Sequence, residues 1–249
     1  MGKVIAVWGT PGSGKTVLSM KLAERLYQTG RRHKVRIVTV LTDVLSPSMP
    51  VIFPLYPSDA TYSLGSLLAK TTITADDIFS YTTLIKGRDN LGVIGYKENE
   101  NSRSHPEYTR EKAKTFLRTL AENTDYAIID CMTDPDDSIL SETALLEADE
   151  SIRLMTPDLK CLSYCMSQNK HFASRGYMPP EQITVINTPV QAYAMPVSEI
   201  RGHIGKVDFT LPYSPELARQ SLEGSVSEET NDRRFMNAVG MIAGKVGER

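Results

Sequence analysis

Cysteine is scarce: Cys131, Cys161 and Cys165 are the only three in 249 residues, with no C-x-x-C pair and no histidine at zinc spacing. So sparse and odd a set excludes a disulfide framework and suits a reducing compartment. Cys161 and Cys165 stand four apart in a helical pattern, share a face, and read as buried free thiols. Neither charge sign dominates. With 28 basic and 30 acidic residues the net charge is −2, which excludes a whole-surface electrostatic grip on nucleic acid or anionic lipid. Long apolar runs are missing too, none approaching the ~18–20 residues that span a bilayer. The amino terminus enters a strand pattern at once rather than a secretory signal, so a cytoplasmic protein is expected. Without repeats or a break in composition, one domain over residues 1–249 is expected.

What is present alternates. KVIAVWG (residues 3–9) is a β-branched apolar run ending in glycine, a buried parallel strand. KTVLSMKLAERLYQTG follows with apolar residues at helical intervals and stops at Gly30. A second buried strand is predicted within residues 35–43, and strand patterns recur in TTLIKG, LGVIGY, YAIID, ESIRLMTP, QITVINTP and VDFTLP. Helices are predicted at 63–70, 74–79, 109–123, in ILSETALLEA, from the cap Asp158 onward, in VSEIRGHIG, after Pro215 and over 231–247. Four prolines between Ser46 and Pro57 predict a loop, and the polar run 96–107 predicts a mobile surface loop. Strand–helix alternation of this kind predicts an α/β fold: a doubly wound, mostly parallel sheet with helices on both faces.

One segment carries chemistry. GTPGSGKT, from Gly9 to Thr16, fits the phosphate-loop pattern G-x-x-x-x-G-K-[ST] between a strand and a helix. Backbone N–H groups of Gly9, Thr10, Pro11's neighbours, Gly12, Ser13 and Gly14 can curl around phosphate oxygens at the positive end of the following helix, where Val17 lies in the first turn. Lys15 supplies a charge for the β- and γ-phosphates and Thr16 a hydroxyl for Mg²⁺. Such a loop calls for a carboxylate at a neighbouring strand end, and Asp43 and Asp130 each close an apolar run. Aspartate at a strand end is also a common turn former, so the residues alone leave both roles open.

With those residues in place the chain resembles the MinD/ParA P-loop ATPases. The phosphate loop carries the match together with DVLSPSMP (residues 43–50), the run DYAIIDCMTDPDDSIL with ALLEADESIRLMTPDLKCL, and VINTP with LPYSPELARQSLEG. The resemblance implies ATP and Mg²⁺ as ligands, Asp43 as an acidic switch residue, and Asp130 on the metal side. Asn187, Pro212 and Tyr213 are implied around the adenine. It further implies an ATP-dependent homodimer and a protein partner. The sequence departs from the family at Thr10, where an extra lysine usually reaches across the dimer to the partner's phosphates. Leu41 stands where the first of an acidic pair is common, and CMTDP follows Asp130 where T-P is common. Departures of this kind occur in TadZ-like localisation factors of pilus machinery, and they imply slow or partner-dependent hydrolysis.

Two other classes stay open. A small-molecule phosphotransferase would need an arginine-bearing lid, for which Arg103 and Arg110 are candidates; a non-hydrolysing module would hold nucleotide as a structural ligand. A guanine-reading N-K-x-D is absent, since Asn187 is followed by Thr188, Pro189 and Val190. The basic RRHK turn (residues 31–34) and the apolar face of the last helix support neither DNA nor membrane contact. The latter has Gly240, Gly244 and Gly247 and modest bulk, which predicts a core-docking helix.

Overall fold

The computed structural model describes residues 1–30, 34–53, 62–188 and 195–247. Among the described residues eight strands form one sheet: β1 (Lys3–Gly9), β2 (Ile37–Leu41), β3 (Thr83–Ile85), β4 (Arg88–Gly95), β5 (Tyr126–Asp130), β6 (Glu150–Met155), β7 (Ile183–Asn187) and β8 (Phe209–Leu211). Their order is β3-β4-β2-β5-β1-β6-β7-β8, and every neighbouring pair is parallel except the β3–β4 hairpin at one edge. The helices are α1 (Lys15–Gly30), α2 (Met49–Ile52), α3 (Leu64–Leu68), α4 (Ala75–Ser80), α5 (Arg110–Asn123), α6 (Ile139–Glu147), α7 (Leu159–Arg175), α8 (Val197–Ile204), α9 (Pro215–Glu223) and α10 (Arg233–Gly247). This is the doubly wound α/β arrangement expected from the strand–helix alternation.

The sheet is buried on both faces, which is why its strands read as continuous apolar runs. Along β1, Ile5 and Val7 pack into one core with α1 and α10, while Val4, Ala6 and Trp8 pack into the other with α5 and α6. Each buried valine or isoleucine here stabilises the fold by roughly 1.5–3 kcal/mol relative to exposure. Helix starts follow local chemistry. Ser63 and Thr74 form capping boxes with Ser66 and Asp77, while Thr109 and Asp158 accept from backbone N–H groups one turn on. Helix α10 docks on α1 with Phe235, Val239, Ile242 and Val246 buried, as its spacing predicts.

Two expectations need correction. The proline-rich stretch is not loop throughout, because Met49–Ile52 makes one helical turn. Pro50 falls in that first turn, where a missing N–H costs nothing; Pro54 and Pro57 lie outside the described residues. The polar run 96–107 forms neither helix nor strand, yet it is pinned. Glu100, 8 % exposed, accepts from Ser63 Oγ at 2.9 Å and Lys97 N at 2.8 Å, and meets His105 Nε2 at 2.6 Å. A buried glutamate inside a polar run leaves no periodic signal. Arg31, Arg32 and His33 of the basic turn also lie outside the described residues.

Candidate nucleotide site

The phosphate loop leaves β1 at the centre of the sheet, between β5 and β6. Connections from these strands depart to opposite sides there, which opens a crevice at the strands' carboxyl ends. Glycine is required at two places. A Cβ on Gly9 would stand 1.8 Å from the Leu154 carbonyl oxygen of β6, so the loop passes too close for any side chain. Gly14 has φ +85° and a Cβ there would meet Asn187 Nδ2 at 2.7 Å. Asn187, at the end of β7, donates from Nδ2 to Ser13 O at 2.8 Å and so holds the loop from the far side.

At the start of α1 the side chains converge. Thr16 Oγ1 donates to Asp130 Oδ2 at 2.6 Å, and Ser19 Oγ, one turn on, donates to Oδ1 at 3.3 Å. Asp130 is 5 % exposed at the end of β5. Burial pushes its carboxyl up to about 6, against the pull of the Thr16 and Ser19 hydroxyls and the Lys15 charge. Lys15 Nζ donates to Thr133 Oγ1 at 2.9 Å and lies 3.5 Å from Thr10 O. Burial lowers its pKa, and the nearby Asp130 and Asp43 oppose that shift. Behind Asp130, Thr42 Oγ1 donates to the Asp130 carbonyl at 2.8 Å and shares a 2.7 Å hydrogen bond with Ser141 Oγ. The end of β5 is thereby braced.

Asp43 is placed differently. Its carboxylate accepts from Leu45 N and Ser46 N at 2.9 Å each, which is the turn-forming role, while its charge still acts on Lys15 and Asp130. Thr10 is fully buried with its hydroxyl lacking a hydrogen-bond partner, and the buried Ser13 Oγ is likewise orphaned. Pro11 is exposed. Gly12, Gly14, Val17, Asn187, Thr188 and Pro212 line a mostly apolar cavity of about 400 Å³, closed further by α9 and Phe235. That is within the size range of small-molecule sites. Tyr213, next to Pro212, is not among its lining residues.

Sequence reasoning missed Thr133, Ser19 and the Thr42–Ser141 brace. Ser19 was reachable, since it lies three residues after Thr16 on one helix face. Thr133 was not, because nothing in CMTDP marks which residue turns toward Lys15. Among the described residues no three His, Cys, Asp or Glu side chains cluster as a metal cage. One hydroxyl and one buried carboxylate, with a second carboxylate nearby, suit a hard ion that keeps water and takes its other ligands from phosphate.

No family model matches the sequence, and no curated protein matches it either. Solved structures do. The chain superposes on the Pyrococcus furiosus cell division ATPase MinD with TM-score 0.73 at 19 % identity, covering 99 % of this chain and 98 % of that one. A ParA family ATPase from Chlorobium tepidum gives TM-score 0.74 at 18 % identity over 97 % of both chains. The fold is that of the MinD/ParA ATPases. A plasmid partition protein from Borrelia burgdorferi, bound to AMPPNP, gives TM-score 0.72 at 20 % identity, covering 99 % of this chain and all of that one. Each of these likenesses runs over nearly the whole of this MinD/ParA-fold chain. Among the described residues no helix is long and apolar enough to cross a membrane.

Proposed function

We propose that this chain binds ATP with Mg²⁺, hydrolyses it slowly, and uses the difference between its ATP and ADP states to control association with a protein partner or a second copy. The observation that carries the reading is the 2.6 Å hydrogen bond from Thr16 to the buried Asp130, set beside Lys15 at the mouth of a glycine-shaped loop. Mg²⁺, when bound, neutralises phosphate charge and fixes phosphate orientation. Thr16 and Asp130 are the residues that would hold it, with Thr16 still donating its proton to Asp130. Lys15 moves from Thr133 to the β- and γ-phosphates. Asp43 orients the attacking water, a duty it shares with its turn. The base enters the cavity against Val17 and Pro212, with Asn187 at its edge.

Related structures support the ligands: one MinD is complexed with Mg-ADP and a partition protein with AMPPNP. A MinC:MinD complex supports a protein partner. Slow turnover follows from Thr10. Its side chain is turned inward and uncharged, so it cannot stand in for a lysine reaching another subunit. The phosphotransferase reading is weaker, because Arg110 is held by Glu142 of α6 at 2.6 Å rather than free for a lid.

Sedimentation of wild type and Lys15→Ala in Mg-ATP, Mg-ADP and no nucleotide tests the switch. A larger species is expected only for wild type in Mg-ATP, and Lys15→Ala should weaken ATP binding roughly a hundredfold, about 2.7 kcal/mol. Equal mass in all three states, with ATP bound, would reduce the protein to a passive nucleotide holder.

A further inference from the structure

Among the described residues, one buried arginine has no carboxylate partner. Arg153 of β6 lies beside Trp8 of β1 and is 3 % exposed. Its guanidinium stacks on the Trp8 ring at 4.9 Å and donates to Asn169 Oδ1 at 2.5 Å. It also contacts Met178 Sδ at 3.7 Å and Cys165 Sγ at 3.6 Å, while its Nε has no partner. Arginine stays protonated in a protein, and a buried unpaired charge costs several kcal/mol. The site therefore calls for an anion. Of the groups in contact with the guanidinium, Trp8, Asn169, Met178 and Cys165, only the Cys165 thiol can give up a proton to become an anion.

Sulfur gathers at this point. Cys161 and Cys165 are one turn apart on α7, both 2 % exposed, and pack with Met155 in one cluster. Met155 Sδ lies 3.6 Å from Cys165 Sγ.

We propose that Cys161, Cys165 and Met155 form a binding site for one soft monovalent metal ion of the Cu(I) or Ag(I) class. Two thiolates and one thioether are the donors such ions select. Charge decides the valence: two thiolates around one monovalent ion leave a single negative charge, which Arg153 matches. A divalent ion would leave Arg153 unmatched. Zinc also takes four ligands as a rule, and the described residues offer no third Cys, His or carboxylate here. The thiols sit in a small separate core with Ile186, Ile200 and Val207, closed over by α8. Such a satellite opens locally at lower cost than the main cores. Met166 and Met195 place thioethers along the adjoining groove between α7 and α8, a route for a soft ion.

The test is anaerobic titration of the reduced, metal-free full chain with Cu(I) delivered by bicinchoninate, following loss of the chelator complex's absorbance. One equivalent per chain is expected. Cys161→Ser and Cys165→Ser should each weaken uptake at least roughly a hundredfold, Met155→Leu about tenfold, and Cys131→Ser not at all. No uptake by folded wild type, or uptake undiminished in Cys165→Ser, overturns the site. If the serine variants fail to fold, X-ray absorption at the copper edge of loaded wild type decides. A sulfur-only first shell is expected, and a nitrogen or oxygen shell overturns the proposal.

Discussion

Asp77 and Asp130 show two ways of ending a local structure with a carboxylate. Asp77, in the first turn of α4, accepts from Thr74 N at 3.0 Å and Thr74 Oγ1 at 2.9 Å, and meets Lys70 Nζ at 2.6 Å. The Lys70 hydrogen bond, and after it those from Thr74, hold its carboxyl down at about 2. Asp130 receives only two hydroxyl hydrogens and the field of Lys15, and burial outweighs them. Folding gains from ionising the first and is opposed by ionising the second. The α3–α4 region is thus satisfied by its own neighbours: both helices start with reciprocal capping boxes. The loop region is not, and it also leaves Thr10 and Ser13 hydroxyls unpaired. A place where the chain's own groups fall short is a place where a ligand completes the structure.

The sharpest way to break that contrast is Asp130→Asn in nucleotide-free protein with chelator present. A folded-state pKa raised from 3.8 to about 6 means the native state holds its proton more tightly. The contribution is favourable below about pH 4 and is lost as pH rises through 6. The variant should therefore be the more stable at pH 8, by up to about 3 kcal/mol, with no advantage at pH 4. It should also forfeit the stabilisation that Mg-ATP gives wild type. Parallel stability curves for the two proteins from pH 4 to 8, in urea, would refute the strain assigned to Asp130.

Thr133→Val asks whether Lys15 is parked or engaged. Losing the 2.9 Å hydrogen bond should cost the nucleotide-free protein about 1 kcal/mol. Since that bond must break for Lys15 to reach phosphate, Mg-ATP should bind the variant about fivefold more tightly by calorimetry. Weaker binding would instead put Thr133 in contact with the nucleotide. The smallest effect is expected for Asp77→Asn. A depressed pKa contributes stability above about pH 4 and loses it as pH falls through 2. The urea midpoints of variant and wild type should differ at pH 7 and converge near pH 2. A difference that persists at pH 2 would trace the role of Asp77 to packing rather than charge.

Much of the molecule was legible along the chain. The caps Thr74 and Asp158 announce their helices because capping is a contact over three residues. Gly9 and Gly14 announce the loop because their backbone shapes admit little else. Residues 46–57 were read as loop from proline count, and the single turn of α2 was missed because proline is acceptable at a helix start. The 96–107 run was read as free because its anchor, Glu100, finds partners 37 residues upstream and five downstream. Among site residues, Lys15, Thr16 and Asp130 were chosen from pattern and are found together. Tyr213 was chosen by resemblance and does not line the cavity beside Pro212.

By itself the sequence determined the α/β alternation, the longer helices and the phosphate loop, since periodicity, caps and glycine conformations are properties of a few consecutive residues. Tertiary structure alone decided that Asp130 is buried against Thr16, that Lys15 rests on Thr133, and that Arg153 meets the Cys165 thiol instead of a carboxylate. Those pairings span from 12 to 118 residues of chain and depend on the strand order that sets β1 between β5 and β6. Charge and burial at each atom follow from neighbours across the sheet, and no local pattern encodes which neighbours those will be.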